Sequence, residues 1–121
     1  MAATVLVADD DTDILRFVEI NLRLEGFEVV TARDGPETLA KAVAVRPDLV
    51  LLDVRMPGID GYTICARIRA DARLAGVPVV IVTGNYGEAE VEAARRAGAD
   101  DFLVKPFLPA TLLDLAKTML A

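Results

Sequence analysis

Two hydrophobic periodicities alternate along the chain. Five short runs are apolar at both odd and even positions: Thr4 to Ala8, Phe27 to Thr31, Leu49 to Leu52, Val77 to Val82 and Phe102 to Val104. Continuous runs of this kind, rich in Val, Leu and Ile, are typical of strands that are covered on both faces of a parallel sheet. The pattern therefore predicts five buried strands.

The segments between these strands have the spacing of amphipathic helices. The first is predicted from Asp13 to Glu25 and is closed by Gly26 as a C-cap, and its apolar stripe consists of Ile14, Phe17, Val18, Ile20, Leu22 and Leu24. Gly35-Pro36 opens the second helix and Arg46-Pro47 ends it. The other three are predicted after Asp60-Gly61, from about Glu88 to Ala97, and from Pro109 onward.

Strands that alternate with helices of this length favour a doubly wound α/β domain. For five such units the pattern predicts a flavodoxin-like (βα)5 sheet with strand order 2-1-3-4-5, and the whole of residues 1–121 as one domain. In that order the chain reverses direction between strands 1 and 3. Ligands of open α/β sheets bind at the carboxyl ends of the strands beside this point.

Polar residues follow four of the predicted strands at that edge. Strand 1 ends in Asp9-Asp10-Asp11, strand 3 in Asp53, strand 4 in Thr83-Gly84 and strand 5 in Lys105-Pro106. Each has an ordinary structural explanation when taken singly: Asp11, for example, is expected to cap the following helix. Together they bring acids, a hydroxyl and a lysine to one edge of the sheet, and chance is a poor explanation for this grouping.

Carboxylates gathered in this way need protons or a cation, because two of them ~5 Å apart repel by about 3 kcal/mol at an effective dielectric constant of ~20. Oxygen ligands without histidine or thiolate favour Mg²⁺. A carboxylate also attacks phosphoryl groups to form an aspartyl phosphate, which lysine and a hydroxyl stabilise. The pattern therefore indicates a site that accepts phosphate, and the absence of nucleotide-binding glycine loops indicates that the donor is another molecule.

Composition excludes several other functions. The chain has no histidine and one cysteine, which excludes serine–histidine catalysis, zinc clusters and internal disulfides. A net charge of -6 and an aromatic content of 5% argue against direct binding of nucleic acid or of anionic membranes. With no basic leader and no apolar stretch of bilayer length, we expect a cytoplasmic protein.

Four stretches identify a family resemblance. They are Val5-Leu-Val-Ala-Asp-Asp10, Pro47-Asp-Leu-Val-Leu-Leu-Asp53-Val-Arg-Met-Pro57-Gly-Ile-Asp-Gly61, Pro78-Val-Val-Ile-Val-Thr83-Gly84 and Gly98-Ala-Asp-Asp-Phe-Leu-Val-Lys105-Pro106-Phe107. In this order they resemble the receiver domain of two-component response regulators over essentially the whole chain.

The resemblance implies a role for each site residue. Asp53 would be the phosphoacceptor. Asp10, Asp53 and the backbone carbonyl of Arg55 would bind Mg²⁺ directly, with Asp9 acting through metal-bound water. Lys105 would pair first with the acids and then with the phosphoryl group, and its peptide bond to Pro106 would be cis.

The resemblance also implies a conformational switch. Thr83 would move to hydrogen-bond the phosphoryl group, and Phe102 would pack inward into the space it leaves. The signal would emerge on the face formed by helix 4, strand 5 and helix 5. Arg55 and Asn85 occupy positions that vary in the family, and we expect them to set the lifetime of the phosphoryl group.

Partners follow from the same resemblance. A histidine kinase or a histidine phosphotransfer protein would supply the phosphoryl group, since this chain has no histidine. The output would be a downstream protein or an attached effector domain, with dimerisation on activation as a further possibility.

Two other functions stay open. An aspartyl-phosphate phosphohydrolase is disfavoured because Arg55 stands where such enzymes usually carry a second acid. An interaction module that is never phosphorylated is disfavoured because the acids and the lysine are all present. The main expectation is a signalling switch that catalyses only its own phosphotransfer and dephosphorylation.

Overall fold

The computed structural model describes residues 2–85 and 87–121, so that Met1 and Tyr86 lie outside the described part. Strands and helices alternate as β1 (Thr4–Ala8), α1 (Thr12–Leu24), β2 (Glu28–Ala32), α2 (Gly35–Val45), β3 (Leu49–Asp53), α3 (Gly61–Ala70), β4 (Val79–Thr83), α4 (Glu88–Ala97), β5 (Asp101–Val104) and α5 (Pro109–Leu120). The strands form one parallel sheet in the order β2-β1-β3-β4-β5. The predicted fold and strand order are confirmed.

The sheet is buried on both faces, as the uninterrupted apolar runs predict. Successive residues of a strand point to opposite faces, so Leu6 and Ala8 pack on the side of α2, α3 and α4. Val5 and Val7 pack on the side of α1 and α5. Cys65 is fully buried in α3, and burial raises the pKa of its thiol.

Aspartate side chains begin the first three helices. Asp11 accepts hydrogen bonds from the backbone N–H groups of Asp13 and Ile14, which confirms its predicted role as the cap of α1. Asp34 caps α2 and Asp60 caps α3 in the same way. These caps satisfy backbone donors that the first helical turn leaves unpaired.

The predicted apolar stripe of α1 is partly wrong. Ile20 and Leu24 are 51% and 79% exposed, whereas the residues buried against the sheet are Leu15, Val18 and Leu22. A spacing of three and four residues keeps these last three on one side of the helix. The helix ends at Leu24, its C-cap is Glu25, and Gly26 follows with a φ of 93°.

The bounds of β1 are as predicted, whereas those of the other four strands differ from prediction by one or two residues. The largest difference is at β4, which begins at Val79 and not at Val77. The Val77 N–H donates to the carbonyl of Leu74 in the preceding turn, and Pro78 has no N–H to donate. The strand therefore begins at Val79, although the Pro78 carbonyl already accepts a hydrogen bond from Val50 N of β3.

Arg69 binds together three segments at the amino-terminal edge of the sheet. Its guanidinium donates to the backbone carbonyls of Ala75, Val77 and Gly98 and forms an ion pair of 2.6 Å with Asp100. Asp100 also accepts a hydrogen bond from Val79 N. Asp100 therefore belongs to this network, while its side chain stays 46% exposed to solvent.

Each helix in the described ranges is too short or too polar to cross a lipid bilayer.

Candidate functional site

The carboxyl ends of the strands enclose a cavity of about 530 Å³. Ala8 pairs with Leu52 across neighbouring strands, so the acids that follow them, Asp9 and Asp53, lie side by side. The lining residues are Asp9, Asp10, Asp11, Asp53, Val54, Arg55, Thr83, Gly84, Asn85 and Lys105. Segments that are remote in the sequence therefore converge at the edge where the strand order predicts a ligand site.

Lys105 forms two ion pairs in this cavity. Its ammonium lies 3.0 Å from Asp9 Oδ2 and 2.9 Å from Asp53 Oδ1, while the two carboxylates are almost fully buried. Burial by itself disfavours the charged ammonium, but the hydrogen bonds to Asp53 and Asp9 outweigh burial and raise the pKa of Lys105. The lysine is therefore held cationic between the two acids.

The third acid is open to solvent. Asp10 is exposed, and its carboxylate has neither a hydrogen-bond nor an ion-pair partner within residues 2–85 and 87–121. Asp9, by contrast, uses Oδ1 to accept from the N–H of Asp11 and Oδ2 to bind the lysine. One ligand oxygen from each of Asp9, Asp10 and Asp53 lies within 4.8 Å of the others.

The electrostatics of Asp53 reflect this crowding. Burial raises its pKa, and the negative charges of Asp9 and Asp10 raise it further, whereas the bond from Lys105 offsets only part of the effect. Three carboxylates against one ammonium leave the cluster with an excess of two negative charges. The site therefore has too little positive charge to balance its carboxylates. Lys105 binds Oδ1 of Asp53, and Oδ2 has no hydrogen-bond donor in the described part of the chain.

The backbone beneath Asp53 is supported by a glycine to which the sequence analysis gave no role. Gly61 N donates to the carbonyl of Val54 at 2.9 Å, which seats the start of α3 against the end of β3. A Cβ at residue 61 would overlap the carbonyl of Asp53. This glycine is part of the Asp53 to Gly61 stretch, and its close contact with β3 is visible only in three dimensions.

Thr83 and Asn85 lie on the opposite wall of the cavity from the acids of β1. The Thr83 side chain is almost fully buried, and its hydroxyl is engaged with the backbone of Asn85. Asn85 and Arg55 are exposed residues of the rim. All the residues expected to touch a phosphoryl group or a metal therefore line this one cavity.

Two of the expected residues lie outside it. Phe102 is half-buried on β5 beside a cleft of about 210 Å³ that it shares with Val91 and Ala94 of α4. Pro106 lines a different, largely apolar groove with Ile14 and Phe17. The Lys105–Pro106 peptide bond is cis.

The donor set suits a hard divalent cation. Every side-chain ligand in the cluster is a carboxylate oxygen, and no histidine or cysteine lies in the cavity. Mg²⁺ prefers one or two carboxylates, with water and phosphate oxygens in the remaining positions. The excess of negative charge and the accessible Asp10 carboxylate fit this preference.

Comparison with known proteins shows the class to which this fold and site belong. Residues 5–117 match the family model described as the response regulator receiver domain. The chain belongs to this family, whose members are the receiver domains of two-component signalling proteins.

Individual relatives agree with this assignment. The transcriptional regulatory protein PrrA of Mycobacterium leprae is 45% identical over 116 residues, which cover 96% of this chain and 49% of PrrA. The DNA-binding response regulator MtrA of Mycolicibacterium paratuberculosis is 40% identical over 113 residues, which cover 93% of this chain and 49% of MtrA. The chain thus spans about half the length of these relatives.

Solved structures show the same architecture. The chemotaxis protein CheY4 of Vibrio cholerae superposes with a TM-score of 0.95 at 34% sequence identity, and the alignment covers 98% of this chain and 99% of CheY4. The resemblance stated from the sequence is confirmed.

Proposed function

We propose that residues 1–121 form one phospho-acceptor domain in which Asp53 receives a phosphoryl group from a phosphohistidine. The observation that carries this proposal is the grouping of three carboxylates within 4.8 Å, with Lys105 bound to Asp9 and Asp53. Lys105 occupies only one oxygen of Asp53 and leaves Oδ2 available for attack. Carboxylates serve as nucleophiles toward phosphoryl groups in this way.

In the transfer step a carboxylate oxygen of Asp53 forms a bond to phosphorus while the bond between phosphorus and the donor imidazole nitrogen breaks. The electron pair of that bond stays on the imidazole, which leaves as neutral histidine after taking up a proton from solvent. Lys105, which already lies 2.9 Å from Asp53, then pairs with an oxygen of the transferred group. Its positive charge stabilises the charge that builds up on the equatorial oxygens.

Mg²⁺ is the cofactor that this donor set would take, held by Asp10, Asp53 and the backbone carbonyl of Arg55. When bound, it would neutralise the carboxylates and the incoming phosphoryl oxygens. Asp9, whose two oxygens already accept hydrogen bonds from Asp11 N and Lys105, would act through a metal-bound water, as the family resemblance implies.

Phosphorylation would then switch the surface formed by α4, β5 and α5. Thr83 Oγ1 would turn to a phosphoryl oxygen, and Phe102 would pack inward from its half-buried position. Arg55 and Asn85, on the rim, would control the access of hydrolytic water and thereby the lifetime of the phosphoryl group.

A histidine kinase or a histidine phosphotransfer protein would be the donor, and the setting would be the cytoplasm. The recipient of the signal would be a downstream protein or an attached effector domain that binds the switched surface. Formation of a homodimer on activation would be another way to pass on the signal. The name of MtrA describes that relative as DNA-binding. In the present chain, which carries a net charge of -6, contact with DNA would fall to the effector and not to this domain.

Mass spectrometry after incubation with acetyl phosphate and Mg²⁺ tests the proposal. We expect one phosphoryl adduct per chain, no adduct with EDTA, and none with Asp53→Asn. Asp11→Asn is the matched control, because its carboxylate caps α1 and asparagine caps equally well. Retention of the adduct in Asp53→Asn would remove Asp53 as the acceptor, and continuous release of phosphate from a small phosphate ester, with turnover, would show a phosphohydrolase and not a switch.

A further inference from the structure

One side chain joins the Thr83 hydroxyl to the start of α4. Thr83 Oγ1 accepts a hydrogen bond from Asn85 N at 3.1 Å and donates one to Asn85 O at 3.2 Å. The side-chain oxygen of Asn85 in turn accepts from Gly87 N at 3.1 Å. Gly87 is the N-cap residue of α4, so these contacts run without a break from the cavity to the helix.

The start of α4 is held differently from the starts of α1, α2 and α3. Those helices begin with an aspartate that caps its own first turn, whereas Gly87 has no side chain to do so. A Cβ built on Gly87 would lie 2.8 Å from Glu90 Oε2 and 3.4 Å from Asn85 Oδ1. Two side-chain oxygens therefore crowd around this residue, and the Asn85 oxygen is the one that receives its N–H.

The packing beneath this turn leaves one polar atom unsatisfied. The Tyr62 hydroxyl of α3 is buried and has no hydrogen-bond partner in the described part of the molecule. Burial raises its pKa, and the nearby charges of Glu90 and Asp60 raise it further. Buried hydroxyls usually find an acceptor, so a shift of α4 that brought the Glu90 carboxylate to Tyr62 would satisfy this group.

We propose that Asn85 is a latch that couples the Thr83 hydroxyl to the first turn of α4, and this proposal rests on the proposed function above. A threonine hydroxyl has a single proton to donate. When Thr83 donates that proton to a phosphoryl oxygen on Asp53, it must give up its bond to Asn85 O. When Thr83 Oγ1 moves, Asn85 N also loses the oxygen to which it donates its hydrogen bond.

Release of Asn85 has a defined consequence for the helix. With its backbone no longer fixed by Thr83, Asn85 loses the position from which its side chain holds Gly87 N. The first turn of α4 then separates from the cavity wall. The latch thus converts a phosphoryl group on Asp53 into a movement of α4.

Residue-resolved hydrogen exchange by NMR on the full chain tests this coupling, with Mg²⁺ and beryllofluoride as the phosphoryl mimic. The reporting amides are those of Gly87 and of Val91, whose N–H closes the first turn of α4 on Gly87 O. Without beryllofluoride, Asn85→Ala should speed exchange at both amides by about fivefold, as loss of a side-chain cap does. Asn85→Asp keeps the acceptor oxygen and should preserve the slow exchange.

Two substitutions of Thr83 test the hydrogen bonds between its hydroxyl and Asn85, one removing the hydroxyl and one keeping it. Thr83→Val should reproduce the fast exchange of Asn85→Ala without beryllofluoride, and Thr83→Ser should not. In the wild type, beryllofluoride should itself produce an increase of about fivefold. In Asn85→Ala it should add little, because the latch is already open.

The outcomes separate this proposal from the one on which it rests. Unchanged Gly87 exchange in Asn85→Ala overturns the latch whatever beryllofluoride does. A response of the Val54 amide to beryllofluoride with no change at Gly87 in the wild type overturns the latch and leaves the proposed function intact. Fast exchange in Asn85→Ala together with no response of the wild type to beryllofluoride overturns the phosphoryl-driven release and the proposed function.

Discussion

Replacing Asp10 with asparagine is expected to stabilise the metal-free protein, because the site holds more negative charge than it can balance. The ligand oxygens of Asp9, Asp10 and Asp53 lie within 4.8 Å of one another. At this distance two unit charges repel by about 3.5 kcal/mol at an effective dielectric constant of ~20, and by about 0.9 kcal/mol in bulk water. Each carboxylate that is neutralised therefore relieves a measurable repulsion.

The size of the effect follows from the surroundings of Asp10. It is repelled by two carboxylates and attracted by one ammonium, so roughly one repulsive pair stays uncompensated. Because Asp10 is exposed, solvent screens this pair toward the aqueous limit. Asp10→Asn should therefore raise the free energy of unfolding by about 1 to 2 kcal/mol, or the Tm by about 4 to 8 °C.

Urea denaturation followed by circular dichroism, at low ionic strength with EDTA, measures this difference. Asp11→Asn serves as the control and should change stability little, since it neutralises an adjacent carboxylate that caps α1. Mg²⁺ should then reverse the order of the two proteins. At a concentration a hundredfold above its Kd it adds about 2.7 kcal/mol to the wild type, whereas Asp10→Asn has lost a ligand. Lower stability of Asp10→Asn in EDTA, or equal stabilisation of both proteins by Mg²⁺, would refute the reasoning.

Three further predictions concern stability. Gly61→Ala should cost at least about 2 kcal/mol in urea denaturation, because its Cβ would overlap the Asp53 carbonyl; Gly84→Ala, whose Cβ meets open space, is the control and should stay within about 0.5 kcal/mol. Arg69→Ala should cost about 2 to 4 kcal/mol because it leaves three backbone carbonyls without this donor and removes the cation paired with Asp100. Arg73→Ala, which removes an exposed local pair, should cost far less. Finally, in EDTA the wild type should lose stability relative to Asp53→Asn as the pH rises from about 4. The reason is that the Asp53 carboxyl loses its proton at a lower pH in the unfolded chain than in the folded protein. If the difference in unfolding free energy between the two proteins stayed constant up to neutral pH, it would contradict the raised pKa of Asp53.

The parts of the fold that the sequence predicts are those where periodicity and burial coincide. The strand runs are apolar at every position because both faces of the sheet are covered, and so the residues at the strand ends could be placed at one edge in advance. The cavity that gathers Asp9, Asp53 and Lys105 is the direct result. A correct strand order was sufficient to predict that Asp9 and Lys105, which are 96 positions apart in the sequence, lie close together.

Other features needed the three-dimensional structure. Ile20 and Leu24 are as hydrophobic as their buried neighbours, and composition alone does not show that they lie on the solvent side of α1. The fourfold bonding of Arg69 depends on two loops that approach α3 at the far edge of the sheet. Nothing in the sequence distinguishes this arginine from the exposed Arg67 two residues earlier.

The bonds of Arg69 limit the movement of α4 that release of the Asn85 latch would allow. They fix the carbonyl of Gly98, immediately after the carboxyl end of the helix, while the opposite end depends on the Asn85 oxygen. A helix of ten residues is about 15 Å long. Rotation by about 10° around the fixed end therefore carries the far end through about 2.5 Å, which is enough to break a hydrogen bond. A rotation about this end would keep the bonds of Arg69, so the displacement would be greatest on the side of Asp53 and would vanish at the opposite edge of the sheet.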